Sequence, residues 1–381
     1  MLRIAIVGAG PAGTSAGCHL ARQGIEVVLF DKALFPRDKP CGDWLTPLAL
    51  GEIARLGLAP ELLRERAGAS AVITSTVLRA PGGRHSRFGI GDQSHPAGCC
   101  VPRQRLDALL LAQALEAGCS FRQQALASVD PAEPTLAGFD VVVDARGSAA
   151  GNANAAGLRG YWQVTRTPGI DSLAREVSIR ADPRCKRGYG WVFPVDLQPD
   201  VVTFNVGVGL WKADIRPGQG PREQLARFLA QDPVARHLDQ HATRRSKPQG
   251  FPLAMGGWGG TQVGQGKVLR IGDAAQFADP LTGDGIGNAL LSGRLLAEVV
   301  NEGERRMASG RPSSSWAQAW QTCFEQTLQP ELRRAWCLRR LLEPTLIKNV
   351  AALVLAHGPA RLRESLHTAL FGVRTYHDAL F

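Results

Sequence analysis

The chain has 381 residues, 44% of them hydrophobic and 20% charged, and carries a formal net charge of +10. That is too long for a bare dinucleotide fold and suits two or three packed subdomains of ordinary globular composition. No uninterrupted apolar segment approaches the roughly 20 residues of a membrane span and no basic leader precedes the first apolar run, so a cytoplasmic location is expected.

The first thirty-one residues read as one nucleotide-binding unit. Leu2 to Val7 is a short apolar run suited to a buried parallel strand. Gly8-Ala9-Gly10-Pro11-Ala12-Gly13 follows, then an Ala-rich helical stretch and a second strand, Val27 to Phe30, ending at Asp31. Gly8 makes the tight turn, Gly10 admits a pyrophosphate and Gly13 lets the helix pack closely on the sheet. The helix N-terminus supplies amides and positive dipole, and Asp31 can accept from the ribose hydroxyls of an adenine dinucleotide.

Pro47 to Leu58 and Pro60 to Ala67 are helical in pattern. Ala71 to Arg79 and Arg84 to Ile90 read as strands around Pro81-Gly82-Gly83. Arg103 to Gly118 has a leucine-rich helical period, and Ser120 to Ala125 and Asp140 to Ala145 are further strands. From Arg159 to Leu210 the pattern changes to longer alternation: Gly160 to Arg166, Glu176 to Ala181, Tyr189 to Val195 and Val201 to Leu210 predict an antiparallel sheet with one face covered. Gly256-Gly257-Trp258-Gly259-Gly260 has no strand before it or helix after it and reads as a flexible loop. Lys267 to Ile271 returns to a buried strand, followed by a long helix from Gly285 to about Asn301. Ser309 to Ser315 is the expected linker into a helical tail.

A second signature lies at Arg270-Ile271-Gly272-Asp273-Ala274-Ala275 and Asp279-Pro280-Leu281-Thr282-Gly283-Asp284-Gly285-Ile286-Gly287. A strand ending in Gly-Asp can aim a carboxylate at a ribityl hydroxyl. A glycine loop at a helix start can bring amides against the pyrimidine end of a flavin, where the dipole stabilises negative charge.

The first motif, Arg103-Gln104-Arg105-Leu106-Asp107 and the Gly272-Asp273 segment together resemble the flavoproteins of para-hydroxybenzoate hydroxylase type over about residues 1 to 300. The resemblance implies FAD. It places Arg103 near the pyrophosphate and Gly8, Gly10, Ala12, Gly13, Asp31, Lys32, Cys41, Gly42, Ala125, Asp273, Pro280, Gly283, Gly285 and Ile286 against the cofactor. Asp144-Ala145-Arg146-Gly147 stands where the family carries Ala-Asp-Gly, so Arg146 replaces an acid, with Asp144 nearby.

Pro36-Arg37-Asp38-Lys39-Pro40-Cys41-Gly42-Asp43 resembles a segment of the geranylgeranyl reductases in which a Cys-Gly pair lies beside the flavin, and Tyr189-Gly190-Trp191-Val192-Phe193-Pro194 with Gly207-Val208-Gly209 resembles their substrate-pocket motif. The implied fold is α/β: a discontinuous Rossmann-type FAD-binding domain (1–72, 98–150 and 262–308), an antiparallel-sheet substrate domain (73–97 and 151–261) and a C-terminal helical region (309–381). Cys41 and Asp43 are the candidate catalytic residues, Cys41 as proton donor and Asp43 to polarise it or bind substrate. Trp44, Tyr189, Trp191, Phe193 and Pro194 are assigned to the substrate pocket, and the bulky Trp44 would narrow its mouth.

The expected chemistry is reduction of an unsaturated isoprenoid, quinone or secondary metabolite. The rival is a monooxygenase acting on an aromatic, peptide-borne or carrier-tethered substrate; a flavin halogenase and a non-enzymatic flavin sensor fit the residues less well. No second dinucleotide unit exists for NAD(P)H, so reducing equivalents are expected from transient NAD(P)H contact or a redox protein. Cys18, Cys41, Cys99, Cys100, Cys119, Cys185, Cys323 and Cys337 show no C-x-x-C spacing, and the histidines form no ligand pattern, so neither a metal nor a disulfide framework is expected. The net charge suits an anionic partner such as a prenyl diphosphate, an acidic carrier or a membrane surface. With three Tyr and scattered Arg, nucleic acid is not expected. The tail, apolar from Thr345 to Leu355 beside Arg333, Arg334, Arg339 and Arg340, reads either as a lid or as a peripheral contact with an anionic membrane.

Overall fold

The computed structural model describes residues 2–68, 72–81, 83–89, 98–182, 187–257, 259–309 and 315–370. Gly82, Ile90, Cys185, Trp258, residues 310–314 of the expected linker and His377 lie outside them.

The N-terminal apolar runs form the centre of a six-stranded sheet, ordered 264–265, Val268–Arg270, Val141–Asp144, Arg3–Val7, Glu26–Asp31 and Ser120–Gln123. Every pair is parallel except the 264–265 hairpin. Ile4 to Val7 are buried because helices, Pro11–Ala21 among them, cover one face and the segment carrying Leu136 and Phe139 covers the other, which is why the run is continuously apolar. Gly8 leaves the strand at φ +113°, and a Cβ there would sit 2.2 Å from the Ala145 carbonyl oxygen. No other residue type fits that turn.

Helix Pro11–Ala21 packs on the long helix Ile286–Ala308 through small residues. A Cβ on Gly293 would meet the Ala12 carbonyl oxygen at 2.6 Å, and Ser15 Oγ donates to the Leu290 carbonyl at 2.7 Å. Close approach of these two helices brings both glycine motifs to one end of the sheet.

The second sheet has eight strands, ordered Ala242–Arg245, Ala155–Thr165, Val201–Trp211, Gly188–Leu197, Glu176–Ala181, Ser75–Arg79 and His85–Gly89, with Gln249–Leu253 also on Ala155–Thr165. It is mixed rather than antiparallel as expected: Glu176–Ala181 pairs Ser75–Arg79 in parallel. Those strands come from opposite sides of a long insertion, and periodicity within a strand carries no information on the direction of a distant partner. The strand expected from Ala71 begins at Ser75.

Gly256 and Gly257, expected in a flexible loop, are tightly packed. Gly256 N donates to the Ala278 carbonyl at 3.0 Å, and a Cβ on Gly257 would sit 2.4 Å from the Leu332 carbonyl oxygen.

The tail folds as helices Trp316–Gln326, Leu328–Leu341, Thr345–His357 and Ala360–Leu370. Trp320 is fully buried, with Nε1 donating to the Arg270 carbonyl at 2.9 Å, and Phe324 stacks on Phe277. The last helices are clasped to the second sheet by His367, which is fully buried and stacked on Phe88. Ser86 gives its one hydroxyl proton to the Leu355 carbonyl at 2.8 Å, so its 3.1 Å contact with His367 Nε2 is a bond it accepts. Thr76 Oγ1, 3.3 Å from Nδ1, is then the donor to a neutral ring. Burial, with Arg363 adding repulsion, pushes this histidine down to about 4 from 6.5.

Because the folded value lies below the unfolded one, the clasp stabilises fully above pH 6.5 and is lost as pH falls toward about 4. The stability difference between the natural chain and His367→Gln, read from urea midpoints, is expected to be largest near pH 7 and to shrink by up to about 3 kcal/mol across that window. A difference independent of pH would contradict the assignment.

Candidate functional site

The groove at the carboxyl ends of the parallel strands is lined by Gly10, Ala12, Lys39, Cys41, Arg103, Ala145, Asp273, Gly283, Gly285 and Ile286. No side chain caps helix Pro11–Ala21, and the nearest atom to a Cβ on Gly10 is Arg37 Nη2 at 3.7 Å, so the helix end presents open backbone to the groove. Asp31 accepts from Ala9 N and Ala33 N, each at 2.9 Å, which fixes the loop and aims the carboxylate beside the helix start. Lys32 and Ala125 are exposed and are not among the residues that line the groove; Gln124 N donates to the Asp31 carbonyl at 2.8 Å.

Arg103 is buried and held bidentately by Asp107, with Nε–Oδ1 at 2.6 Å and Nη2–Oδ2 at 2.7 Å, while Arg37 donates to the same carboxylate at 2.8 Å. Burial disfavours both charges. The pairing outweighs it, raising Arg103 and holding Asp107 below the usual carboxylate range. Two guanidinium groups on one carboxylate leave surplus positive charge beside the groove, which fits a pyrophosphate.

Asp144, the acid near the altered loop position, is engaged within the chain. Arg146 takes both of its oxygens at 2.9 Å and donates to the Ala127 carbonyl at 2.7 Å. Asp273 stays partly open, its Oδ2 3.8 Å from Lys39 Nζ. At the start of helix Ile286–Ala308, Asp284 Oδ1 accepts from Gly287 N at 3.1 Å, so a carboxyl group of this chain takes one of the amides expected to face a flavin. Asp284 is also bound by Thr46 Oγ1 at 2.8 Å, and burial raises its pKa. The uncapped helix, the surplus cation and the glycine approach fit FAD.

Cys41-Gly42-Asp43 turns over one end of this groove. Asp43 has φ +66° and is fully buried. Its Oδ2 accepts from Tyr161 Oη at 2.6 Å and Asn205 Nδ2 at 2.8 Å, and Oδ1 from Arg103 N at 3.2 Å. Asn205 also donates to the Cys41 carbonyl at 2.6 Å and accepts from Trp191 Nε1 at 2.9 Å. Arg159 lies 4.3 Å over the Tyr161 ring and pairs with Asp38 at 2.7 Å. Burial lifts Asp43 to about 6 against the pull of Tyr161, Arg159 and Asn205. Burial also raises the Cys41 thiol, outweighing the neighbouring Arg103, so Sγ holds its proton at neutral pH.

Beyond the turn opens a cavity of about 230 Å³. Tyr189, Trp191 and Phe193 share one strand face and line it. Trp191 stacks on Phe193 with centroids 6.2 Å apart, Tyr189 meets Trp191 edge-on at 6.1 Å, and Trp44 extends the wall by leaning on Phe193 at 5.6 Å. Tyr189 Oη donates to the Thr282 carbonyl, tying the wall to the glycine loop. Gly207 exists for Trp191, since its Cβ would enter the indole at 2.3 Å. Pro194 does not line the cavity; strand alternation turns it to the opposite face from Phe193. Pro280 lines the cavity, not the groove.

Tyr161, Asn205, Arg159, Thr46 and Asp284 were not singled out from sequence. A polar Asn205 between Phe204 and Val206 in an otherwise apolar run, and an acid between Gly283 and Gly285, were the available signals.

Residues 1–131 match the family model described as an FAD binding domain. The menaquinone reductase of Mycolicibacterium smegmatis is 30% identical over 95% of this chain and 88% of its own length. The digeranylgeranylglycerophospholipid reductase of Methanosphaerula palustris is 28% identical over 83% of this chain and 81% of its own. A geranylgeranyl bacteriochlorophyll reductase-like structure from Thermoplasma acidophilum superposes with a TM-score of 0.72 at 17% identity, covering 100% of this chain and 98% of that one.

Tyr161→Phe removes a donor to the charged form of Asp43, which is expected to raise its pKa above about 6 by roughly one unit. Infrared titration of the protonated carboxyl stretch reads this directly. No movement of that band would show that Tyr161 does not set the charge of Asp43.

Proposed function

This chain belongs to the geranylgeranyl reductase-like family of FAD-dependent oxidoreductases, and from that premise we propose that it reduces a carbon–carbon double bond in the isoprenoid chain of a lipid such as menaquinone. The observation that carries this reading is continuity: Cys41, Gly283, Gly285 and Ile286 line both the cofactor groove and the apolar cavity, so one end of the groove opens into the space for an apolar chain.

Bound FAD supplies the electron pair for the reduction. Every other requirement falls to the protein. The wall of Tyr189, Trp191, Phe193 and Trp44 holds the chain flat and excludes water, and Leu253, Met255 and Ile179 close the apolar surface. Gly42 lets this wall approach the turn, since its Cβ would sit 3.1 Å from the Phe193 ring. Cys41 Sγ holds a proton at the cavity surface, positioned by the Asn205 bond to its own carbonyl, and is the donor to the second alkene carbon. Asp43 positions the turn through the bonds it accepts from Tyr161, Asn205 and Arg103 N. NAD(P)H docking transiently, or a redox protein, is the source of electrons.

Helix Thr345–His357 lines the cavity with Ala351 and Ala352 and exposes Leu346 (73%), Val350 and Leu353 at i, i+4 and i+7. Among the described residues no helix is long and apolar enough to cross a membrane. We place this stripe, with Leu341 and Leu362 beside it and Arg340 and Arg361 adjoining, on the bilayer surface from which a lipid enters.

Anaerobic mixing of the chemically reduced holoprotein with menaquinone and geranylgeranyl lipids is expected to reoxidise the flavin. Cys41→Ala is expected to slow that step about 100-fold while keeping FAD bound. Absence of reoxidation across the panel would contradict the reading, and oxygen-dependent product would favour the monooxygenase instead. In flotation with vesicles containing phosphatidylglycerol, the Leu346→Asp/Val350→Asp variant is expected to lose most of the binding shown by the natural chain; equal flotation would remove the stripe from the membrane.

A further inference from the structure

Asp284 stands between Gly283 and Gly285, both of which line the cofactor groove, and itself lines the apolar cavity, so it sits at the junction of the two. Its oxygens receive bonds and give none: Thr46 Oγ1 donates to Oδ2 at 2.8 Å, Gly287 N donates to Oδ1 at 3.1 Å, and Ile286 N donates as well. A carboxyl group that only accepts behaves as an ionised carboxylate. Gly287 makes room for it, since a Cβ there would lie 2.9 Å from Asp284 Oδ2. Thr46 follows the Cys41 turn and starts helix Pro47–Arg55, so its bond fixes the carboxylate relative to that turn.

The other acids around the groove are balanced by cations. Asp273 faces Lys39 at 3.8 Å, Asp107 holds Arg103 and Arg37, and Arg159 lies near Asp43. Among the described residues no cation pairs with Asp284, and its neighbour Asp273 has the same sign. Helix Ile286–Ala308 begins at this loop, and free amides at its start would favour negative charge on a flavin ring at the end of the groove. Asp284 takes two of those amides for itself and places a full negative charge in apolar surroundings, where repulsion is weakly screened. Uptake of two electrons and one proton leaves a flavin ring with one more negative charge, so this carboxylate opposes reduction and favours release of the electron pair.

We propose that Asp284 sets the reduction potential of the bound FAD, its unpaired charge lowering that potential and making the cofactor a stronger hydride donor. The inference rests on FAD lying in the groove with its ring at the junction, and names the residue that tunes it. An isolated isoprenoid double bond has no conjugated carbonyl to accept charge, so its reduction depends on the strength of the donor. Thr46 acts through Asp284 as a positioning residue, holding the carboxylate at the junction.

Spectroelectrochemical titration of the FAD-loaded protein, with no substrate present, tests it. The natural chain is expected to hold its FAD at a two-electron midpoint potential below that of free FAD at the same pH. Asp284→Asn, whose amide oxygen can still accept from Gly287 N, is expected to raise the potential by about 30 mV or more, a tenfold change in the two-electron equilibrium. Asp284→Glu, which keeps the charge, is expected to stay closer to the natural value. A natural potential above that of free FAD, a potential unmoved in Asp284→Asn, or equal shifts in Asp284→Asn and Asp284→Glu would overturn the role of the charge. The titration does not involve the lipid: a low potential that depends on Asp284, in a protein whose flavin no isoprenoid reoxidises, would keep this inference and remove the substrate reading. Failure to bind FAD would remove both.

Discussion

The arrangement of this molecule depends on one buried carboxyl group. Asp43 belongs by sequence to the nucleotide-binding half, yet two of its partners, Tyr161 and Asn205, stand on adjacent strands of the other sheet. A carboxyl group taken out of water demands hydrogen bonds, and here they come from across the junction between the sheets. The positive φ of Asp43 is held by the same bonds. Cys41 is therefore located relative to both the cofactor groove and the aromatic wall by a single polar knot, with Trp191 joined to it through Asn205. Loss of any one donor leaves the others to carry a desolvated charge.

Function follows from what surrounds that knot. On one side lies a groove with open amides, glycines at the points of close approach and a surplus of guanidinium. On the other lies an apolar cavity walled by Tyr189, Trp191, Phe193 and Trp44. A protonated thiol at the boundary and few polar groups in the cavity between its two ends suit saturation of a double bond better than chemistry that must stabilise a hydrophilic intermediate. The tail helices complete the cavity, and their other face presents leucines outward. The neutral His367 clasp keeps the last of these helices against the second sheet.

Much of this was legible in the sequence, because the local rules are strict. The strand, turn and helix start around Gly8, Gly10 and Gly13 were readable from their spacing, and the alternation Tyr189, Trp191, Phe193 marked one face of a strand, since a strand places every second side chain on one face. The same rule, applied strictly, would have excluded Pro194. What was not legible depended on contacts between residues far apart in the chain. The parallel pairing of Glu176–Ala181 with Ser75–Arg79, the capture of Asp144 by Arg146, the capping of the long helix by Asp284 and the convergence of Tyr161 and Asn205 on Asp43 leave no periodic trace. Nor does composition show that an arginine among many, Arg339, is the one buried between two tryptophans.

The central claim is that the junction organised by Asp43 adds hydrogen to an isoprenoid double bond and does not insert oxygen. A single turnover under oxygen-18 gas, using reduced holoprotein and an isoprenoid lipid that reoxidises it, decides this by the mass of the product. The account predicts a product heavier by two hydrogen atoms with no label. A product heavier by one labelled oxygen atom would contradict it.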